Sequence, residues 1–512
     1  MWIFNPGKLI ISSMIGYPAQ TSLIPIQVAL AKFLENQGFL AAFGNYPYWY
    51  LGTTPFRFLT GPILPVICLT LHRVFSSLSL FEIVFLLIAA CWMLGAVGVY
   101  LLVRELAPLR PAKRDYVRGT GNWVALLSAV FYLFGPIVPF LFRFSDGLYL
   151  IAFSFLPFTL LMYLRLLRRW KRKTAILCII LITFIILLDS LIIPSLVLGM
   201  GAVLLAQAGW KKVEEKLKRS LWFMAYGLLL ATFWYTPGYW LTLLGAPSLA
   251  GKGLAGVIIW LGKLLPTALA FGIAIFSVKF FKKRNLLRDF CFYWLFIYVC
   301  LTLLRFLSDP DFWLDWMAYG IELQMGIGIA LGVFFEDRRR KSEDGFRRQM
   351  TEGRQKISFQ SSIFLALYFL LFTFVFNKYV LGTLQRDISQ TVEYKIGSQL
   401  SKIAKSGERV FLSGTTAFWL NAFFDIPQVR GGKDEAAINQ SWRKAVWEIR
   451  EGTEPEKSVE WLKKLGVSYL VVHTDESEEY YHDFSHPEKF EGVEELEKVY
   501  DEGGDKIYKL ED

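Results

Sequence analysis

Four side chains lead the chemistry this sequence could do: Asp146, Asp189, Arg57 and Arg305. Asp189 lies in LLDSLIIP, where one apolar run ends and another begins. An acid that close to hydrocarbon is costly and marks a working site by default; the alternative is a turn residue with its carboxylate among the headgroups. Asp146, in RFSDGLY, follows Arg143 in a short polar break. A carboxylate there serves either as a proton acceptor or as a loop cap. Arg305 stands at the end of an apolar run, before FLSDPDFWLDW. Its planar fork suits a lipid phosphate, or its head simply snorkels to water. Arg57 accompanies Tyr46, Tyr48, Trp49, Tyr50 and Phe56. Amphipathic rings around one cation suit a membrane–water boundary, and the stretch Gly16 to Gly61 reads as a lipid-facing pocket. Glu322 and Gln324 open a further apolar run, facing either a bundle interior or the wet boundary.

These groups gather toward the ends of apolar runs. A transporter needs polar groups near the bilayer midplane, often on broken helices. Here the middle stretches are almost wholly apolar, so a pocket that meets a membrane-embedded lipid at one face fits better. Soluble-enzyme motifs (phosphate loop, dinucleotide fingerprint, GxSxG, HExxH) do not occur. The five cysteines form no CxxC pair. His482 and His486 stand four apart, but in a polar stretch that reads as a solvated pair before it reads as a metal site.

The elements that position these residues are mostly membrane helices. Of 512 residues, 54% are hydrophobic and only 19% charged, below the roughly 25% charged residues of soluble domains. About ten runs approach the ~20 residues needed to cross a bilayer. They are Leu80–Val103, Asn122–Leu141, Leu148–Tyr163, Ala175–Leu188, Leu191–Ala208, Leu221–Leu243, Leu261–Phe276, Phe290–Leu304, Met317–Phe335 and Ser361–Val380. Before them, Thr21–Gln37 reads as an amphipathic helix lying in the interface plane. Pro62–Ser76 reads as a second interfacial helix or a tilted span.

Charge assigns sidedness. One alternating set of loops holds RLLRRWKRK, Lys211–Arg219, Lys282–Arg288 and the cluster from Arg338 to Arg354. Such loops stay in the cytoplasm. The leading segment and the chain after Val380 then share the opposite face. An outer amino terminus with no preceding span implies that a first helix is missing from this chain, or that Met1–Tyr17 stands in for it. From Ser401 onward there are 15 Lys and Arg against 24 Asp and Glu, a net of −9, which leaves +20 on the rest of a chain of net charge +11. A basic membrane part beside an acidic tail indicates cytoplasmic anchoring and not nucleic-acid binding.

The tail reads as a small α/β domain. Glu408–Ser413 and Val467–His473 are expected as strands, Ser441–Arg450 and Pro455–Leu465 as helices, and Glu502-Gly503-Gly504-Asp505 as a hairpin turn. Trp419 and Asn421 in FWLN, with Arg430 in IPQVRGG and Trp442, suit either a polar ligand such as a sugar or a turn-rich packing surface. The expected organisation is residues 1–79 as an outer segment with interfacial helices, 80–380 as the helical bundle and 381–512 as an extracytoplasmic domain.

The YPAQ element (Tyr17 to Gln20), the amphipathic helix, WYLGTTPFRFLTGP, DIPQVRGG and GVSYLVVH together resemble the GT-C superfamily of membrane glycosyltransferases, closest to YfhO-type and related archaeal and bacterial members. The resemblance covers most of the chain. It implies a polytopic α-helical membrane bundle with a C-terminal extracytoplasmic α/β domain in the cell membrane. It implies transfer of a sugar from a polyprenyl-phosphate carrier to a glycan or protein acceptor outside the cytoplasm. In that group an acid of the first outer loop acts as base or metal partner, which leaves a divalent metal open as cofactor. This sequence has Gly16 where such an acid would precede YPAQ, and no Asp or Glu before Glu35. The expected base is therefore Asp146 or Asp189, with Arg57 and Arg305 near the carrier phosphate. Tyr17, Gln20, Tyr48, Trp49, Tyr50, Trp419, Asn421 and Arg430 are expected to line the substrate or acceptor pocket.

Overall fold

Apolar runs of this length fold as helices because backbone groups in lipid must satisfy one another. The computed structural model describes residues 17–18, 20–21, 23–53, 55–107, 118–144, 149–207, 213–245, 285–307, 319–346, 354–385, 387–432 and 441–511, with isolated positions between 255 and 272. In chain order come β1 (Tyr17–Pro18), α1 (Leu23–Gln37), α2 (Ile63–Val74), α3 (Leu80–Leu106), α4 (Arg118–Leu133), α5 (Ile137–Phe144), α6 (Tyr149–Arg168), α7 (Arg172–Leu188), α8 (Ile193–Gln207), α9 (Val213–Ala231), α10 (Pro237–Leu244), α11 (Leu286–Leu307), α12 (Gly320–Phe346) and α13 (Arg354–Tyr379).

Among the described residues, six stretches are long and apolar enough to cross a membrane: Leu80–Leu106, Asn122–Phe142, Tyr149–Arg168, Ser190–Gln207, Leu286–Leu304 and Phe364–Thr383. The sequence suggested about ten. The α7 helix is apolar but has 17 residues. The run Leu221–Leu243 is two helices: α9 ends at Ala231 and α10 begins at Pro237. Proline fits the first turn of a new helix and not the middle of an old one. Most of Leu261–Phe276 lies outside the described residues. At 12 residues, α2 is too short to span.

In the bundle, α3 lies on α4 and α6, α12 runs along α4, and α11 packs on α8 and α12. The α12–α4 contact is close because Gly328 and Gly332 face it. A Cβ at Gly332 would lie 2.9 Å from the Val124 carbonyl oxygen, and one at Gly328 3.1 Å from that of Ser128. Small residues four apart let two helix backbones approach. At the other ends of α3 and α6, Arg165 and Arg168 pair with Glu105 at 3.1 and 2.7 Å.

The C-terminal unit holds α14 (Val392–Ile403), α15 (Gly414–Phe423), α16 (Ser441–Glu451) and α17 (Pro455–Lys464) around a sheet. Its strands are β3 (Arg409–Phe411), β4 (Val467–His473), β5 (Leu496–Glu502) and β6 (Asp505–Leu510), in the order β3-β4-β6-β5. β3 is parallel to β4, and the other two pairings are antiparallel. The expected hairpin turn is there, with Gly503 at φ 61° and Gly504 at φ 83°, the backbone that a tight two-residue turn demands. A separate strand, β2 (Leu384–Gln385), pairs antiparallel with β1, setting Tyr17 opposite Gln385. The leading segment and the tail are thus physically joined.

The α1 helix buries Ile24, Ile26, Val28, Leu30 and even Gln27, and leaves Glu35, Asn36 and Gln37 exposed at its end. The reason is a partner invisible in local sequence: α15 lies along one side of α1, with α2 and α3 on others.

Candidate active site

Asp189 closes α7. Its extended backbone breaks the helix, and its Oδ1 accepts from the Leu191 N–H at 3.0 Å, capping the short turn Ser190–Ile192 that feeds α8. A carboxylate at a helix start satisfies otherwise orphaned N–H groups. Asp189 is 1% exposed. Beside it, the Ser190 and Tyr239 hydroxyls bond at 2.6 Å. Tyr239 belongs to α10, just past the Thr236-Pro237 break.

The leading segment grips this same turn. Trp234 Nε1 donates to the Thr60 carbonyl at 2.8 Å. A Cβ at Gly61 would fall 1.9 Å from the Leu187 carbonyl oxygen, so only glycine lets the segment lie on the end of α7. Phe58 meets the Tyr239 ring edge-on at 5.3 Å. Arg57, half-exposed, donates to the Phe233 carbonyl at 3.3 Å and lies 5.0 Å from the Phe43 ring centroid. Phe43 and Phe233, the residues it touches, are exposed, as are Phe39 and Leu40 of the same leading segment. Arg57, through the Phe233 carbonyl, and the Asp189 turn, through Ser190 and Tyr239, are therefore both tied to the stretch between Phe233 and Tyr239 where α9 gives way to α10. That turn was hidden in a run that reads as one span; Thr236-Pro237 was the available signal.

The other expected pocket residues join the leading segment to the C-terminal unit. Trp49, fully buried, donates from Nε1 to Asn421 Oδ1 at 2.9 Å. Asn421 also accepts from Gln428 Nε2 at 2.7 Å and donates to the Phe424 and Ile426 carbonyls. The Tyr48 carbonyl accepts from the Gln428 N–H at 2.8 Å. Tyr50 lies 4.9 Å from the Trp442 ring. Trp419 donates to the Thr21 carbonyl at 2.9 Å and stacks on Phe81 at 5.3 Å. The ring of Tyr17 meets Phe81 edge-on at 5.4 Å. Gln20, at φ 58°, donates its N–H to Glu393 Oε1 at 2.9 Å. Lys32 pairs with Asp425 at 3.1 Å. Buried aromatic and amide groups make an interface here, with polar atoms matched across it.

Arg430 lies elsewhere in the unit. Its Nη1 is 2.8 Å from Asp483 Oδ2, and it also donates to Ser413 Oγ. Asp483 accepts from the Gly414 N–H at 3.0 Å and from the Ser413 hydroxyl, and lies 3.4 Å from Arg450. Burial alone would raise the Asp483 carboxyl, but Arg430 and Arg450 outweigh it and hold the group at about 2. Glu479, fully buried, accepts from the Thr415 N–H and hydroxyl at 2.6 and 3.0 Å. Two acids thus cap the amino end of α15. Glu393 lies under the opposite influence: burial pushes its carboxyl above the ordinary range, against the bond from Gln20. Sequence reading missed Glu393, Glu479 and Asp483, because each sits in a polar stretch where acids are usually solvated.

Asp146 lies outside the described residues, as does the Arg305 side chain; its backbone belongs to α11. Glu322 and Gln324 face the bundle interior, both buried. Among the described residues, no three of His, Cys, Asp and Glu converge as metal ligands. Asp189 offers one carboxylate beside two hydroxyls already bonded to each other, short of the oxygen set a hard divalent cation requires.

No protein-family model and no curated protein matches the sequence. Solved structures match the fold. One is the archaeal oligosaccharyltransferase AglB from Archaeoglobus fulgidus, in complex with an inhibitory peptide and a dolichol-phosphate. It is 14% identical, with a TM-score of 0.52 over 91% of this chain and 68% of that one. The apo form of the A. fulgidus oligosaccharyltransferase gives 13% identity and a TM-score of 0.50 over 91% and 69%. A mutant of the arabinofuranosyltransferase AftD from Mycobacteria gives 14% and 0.52. All of this chain is covered there, but it spans only 42% of that protein. The apolar helical bundle with a small sheet at its C-terminal end shares the fold of these solved structures over nine-tenths or more of its length.

Proposed function

We propose that this protein is a membrane glycosyltransferase that moves a sugar from a polyprenyl-phosphate carrier to an acceptor outside the cytoplasm. The observation that supports the reading is the pair of groups tied to the α9–α10 turn: a half-exposed guanidinium, Arg57, over the exposed Phe43 ring, and the Asp189 carboxylate, buried under Ser190 and Tyr239. A carrier lipid has the matching parts: an apolar chain, a phosphate and a sugar. The guanidinium binds the phosphate. The carboxylate accepts the acceptor's hydroxyl proton as the sugar–phosphate bond breaks. Asp146 is the alternative base and Arg305 the second phosphate contact. Tyr17, Gln20, Tyr48, Trp49, Tyr50, Trp419, Asn421 and Arg430 border or brace the acceptor side, and the C-terminal unit lies outside the cell membrane.

Purified protein in lipid nanodiscs, given a radiolabelled polyprenyl-phosphate sugar, is expected to release carrier phosphate and label an acceptor. Asp189→Asn is expected to lower kcat by about 100-fold or more, the scale of a lost general base. If Asp189→Asn and Asp146→Asn both turn over like the wild type, the base assignment is wrong. A second reading has its own support in Gly16, which stands where the resemblance places an acid: a carrier- or glycan-binding protein without turnover. Tight carrier binding with no sugar release would establish that reading instead.

A further inference from the structure

Glu322, third residue of α12, is 0% exposed and receives helices from three directions. Its Oε1 accepts from the hydroxyls of Tyr149, first residue of α6, and Ser195, on the first turn of α8. Those two hydroxyls are 2.6 Å apart. The Glu322 carbonyl accepts from Trp294 Nε1 of α11 at 2.8 Å, and Tyr298, one turn on, donates to the Ser195 carbonyl at 3.3 Å. Gln324 continues the pattern. Its Oε1 accepts from the Ile137 and Val138 N–H groups that open α5, and its Nε2 donates to the Tyr132 carbonyl near the end of α4.

Stability alone gives little reason for a carboxyl here. A buried carboxyl is expensive, and apolar residues of similar volume commonly pack as well or better. What the carboxyl supplies is direction and spacing. Ser195 lies six residues past Asp189, on the helix that the Asp189 turn feeds. Tyr298 lies seven residues, two helical turns, before Arg305 on α11. Glu322 is bonded to the first of these elements by its side chain and to the second by its backbone.

We propose that Glu322 is a positioning residue for sugar transfer. It sets the separation between the turn that holds Asp189 and the end of α11 that carries Arg305, and so seats the carrier phosphate against the base. The inference rests on the transferase reading above. A shift of about 1 Å between such groups costs on the order of 100-fold in rate without abolishing binding.

The test is steady-state kinetics of the full chain in nanodiscs, with a polyprenyl-phosphate sugar as the varied substrate and melting followed in parallel. Glu322→Ala is expected to lower kcat about 100-fold, with KM for the carrier within about threefold of wild type. Glu322→Gln, which keeps an acceptor for Tyr149 and Ser195, is expected to recover kcat to within about tenfold. Ser195→Ala, which removes one donor, is expected to fall between them. Ser128→Ala removes a comparable buried hydroxyl on α4 (bonded at 2.8 Å to the Val124 carbonyl) and is expected to leave kcat alone. Wild-type kcat in Glu322→Ala, or parallel losses in Glu322→Ala and Ser128→Ala that follow only the folded fraction, would overturn the inference and leave the transferase reading standing. If Glu322→Ala does not fold, Ser195→Ala decides: unchanged kcat overturns the inference, and a loss at constant KM supports it. No turnover by the wild type overturns the transferase reading, and this inference with it.

Discussion

Glu393 and Asp483 have carboxyls perturbed in opposite directions, and each ties stability to pH with its own sign. Asp483 sits below its ordinary value, at about 2, so the folded state binds its proton less readily than the unfolded chain. Its contribution is present above the ordinary aspartate range and is lost as pH falls toward 2. Glu393 sits above its ordinary value because it is buried. Its contribution is complete below the ordinary glutamate range and is lost as pH rises through the raised value. Glutamine at 393 keeps an acceptor for the Gln20 N–H and removes the titration. The melting temperature of Glu393→Gln minus that of wild type is therefore expected to grow from pH 4.5 to pH 8. A difference that stays flat across that range would show that Glu393 does not titrate there. Neither perturbation can be read locally. In TVEYKIG, Glu393 looks like a surface acid on an amphipathic helix; it is buried, with the backbone N–H of Gln20 brought onto it from the other end of the chain.

Among elements, the joint between the leading segment and the C-terminal unit depends on close approach. A Cβ at Gly431 would lie 2.4 Å from Cγ of Trp49, inside the ring's own volume. Gly431→Ala must push Trp49 off Asn421 or lift the 428–432 segment. A cost of about 1–3 kcal/mol, typical of overpacking, is expected, seen as a lower melting temperature and as protease cutting between the bundle and the tail. An unchanged melting curve would mean that Trp49 does not fix the docking. The sequence reads IPQVRGG as a ligand site or a turn-rich packing surface; that Trp49 packs on Gly431 is not legible there, because the two are far apart in the chain. The same holds at the α9–α10 turn. Hydropathy averages across a break of a few residues, so two helices read as one span.

For the whole molecule, the central expectation is sidedness. Lys and Arg crowd one set of helix ends, where Arg165 and Arg168 meet Glu105 and Arg288 meets Asp337. The Asp189 turn, the leading segment and the acidic tail are held together away from those ends. A cysteine at the exposed position Glu497 should react with a membrane-impermeant maleimide added to intact cells. The five native cysteines lie in helices and are buried or half-buried. Labelling of Glu497→Cys only after the membrane is opened would reverse the orientation and remove the acceptor side from the proposed reaction.

Composition, hydropathy and the charge of the loops were enough by themselves to make this a basic helical bundle in a membrane with an acidic α/β tail, because those properties are sums over long stretches and survive local errors. The tail's strands and its Gly-Gly hairpin were legible for the same kind of reason: alternation and left-handed glycines act within a few residues. Only the tertiary structure decided that α1 packs under α15, that Trp49, Trp419 and Asn421 bind the two ends of the chain to each other, and that Arg57 and the Asp189 turn both reach the break between α9 and α10. Each of those facts depends on contacts between residues far apart in the chain, and no window along the sequence contains both partners.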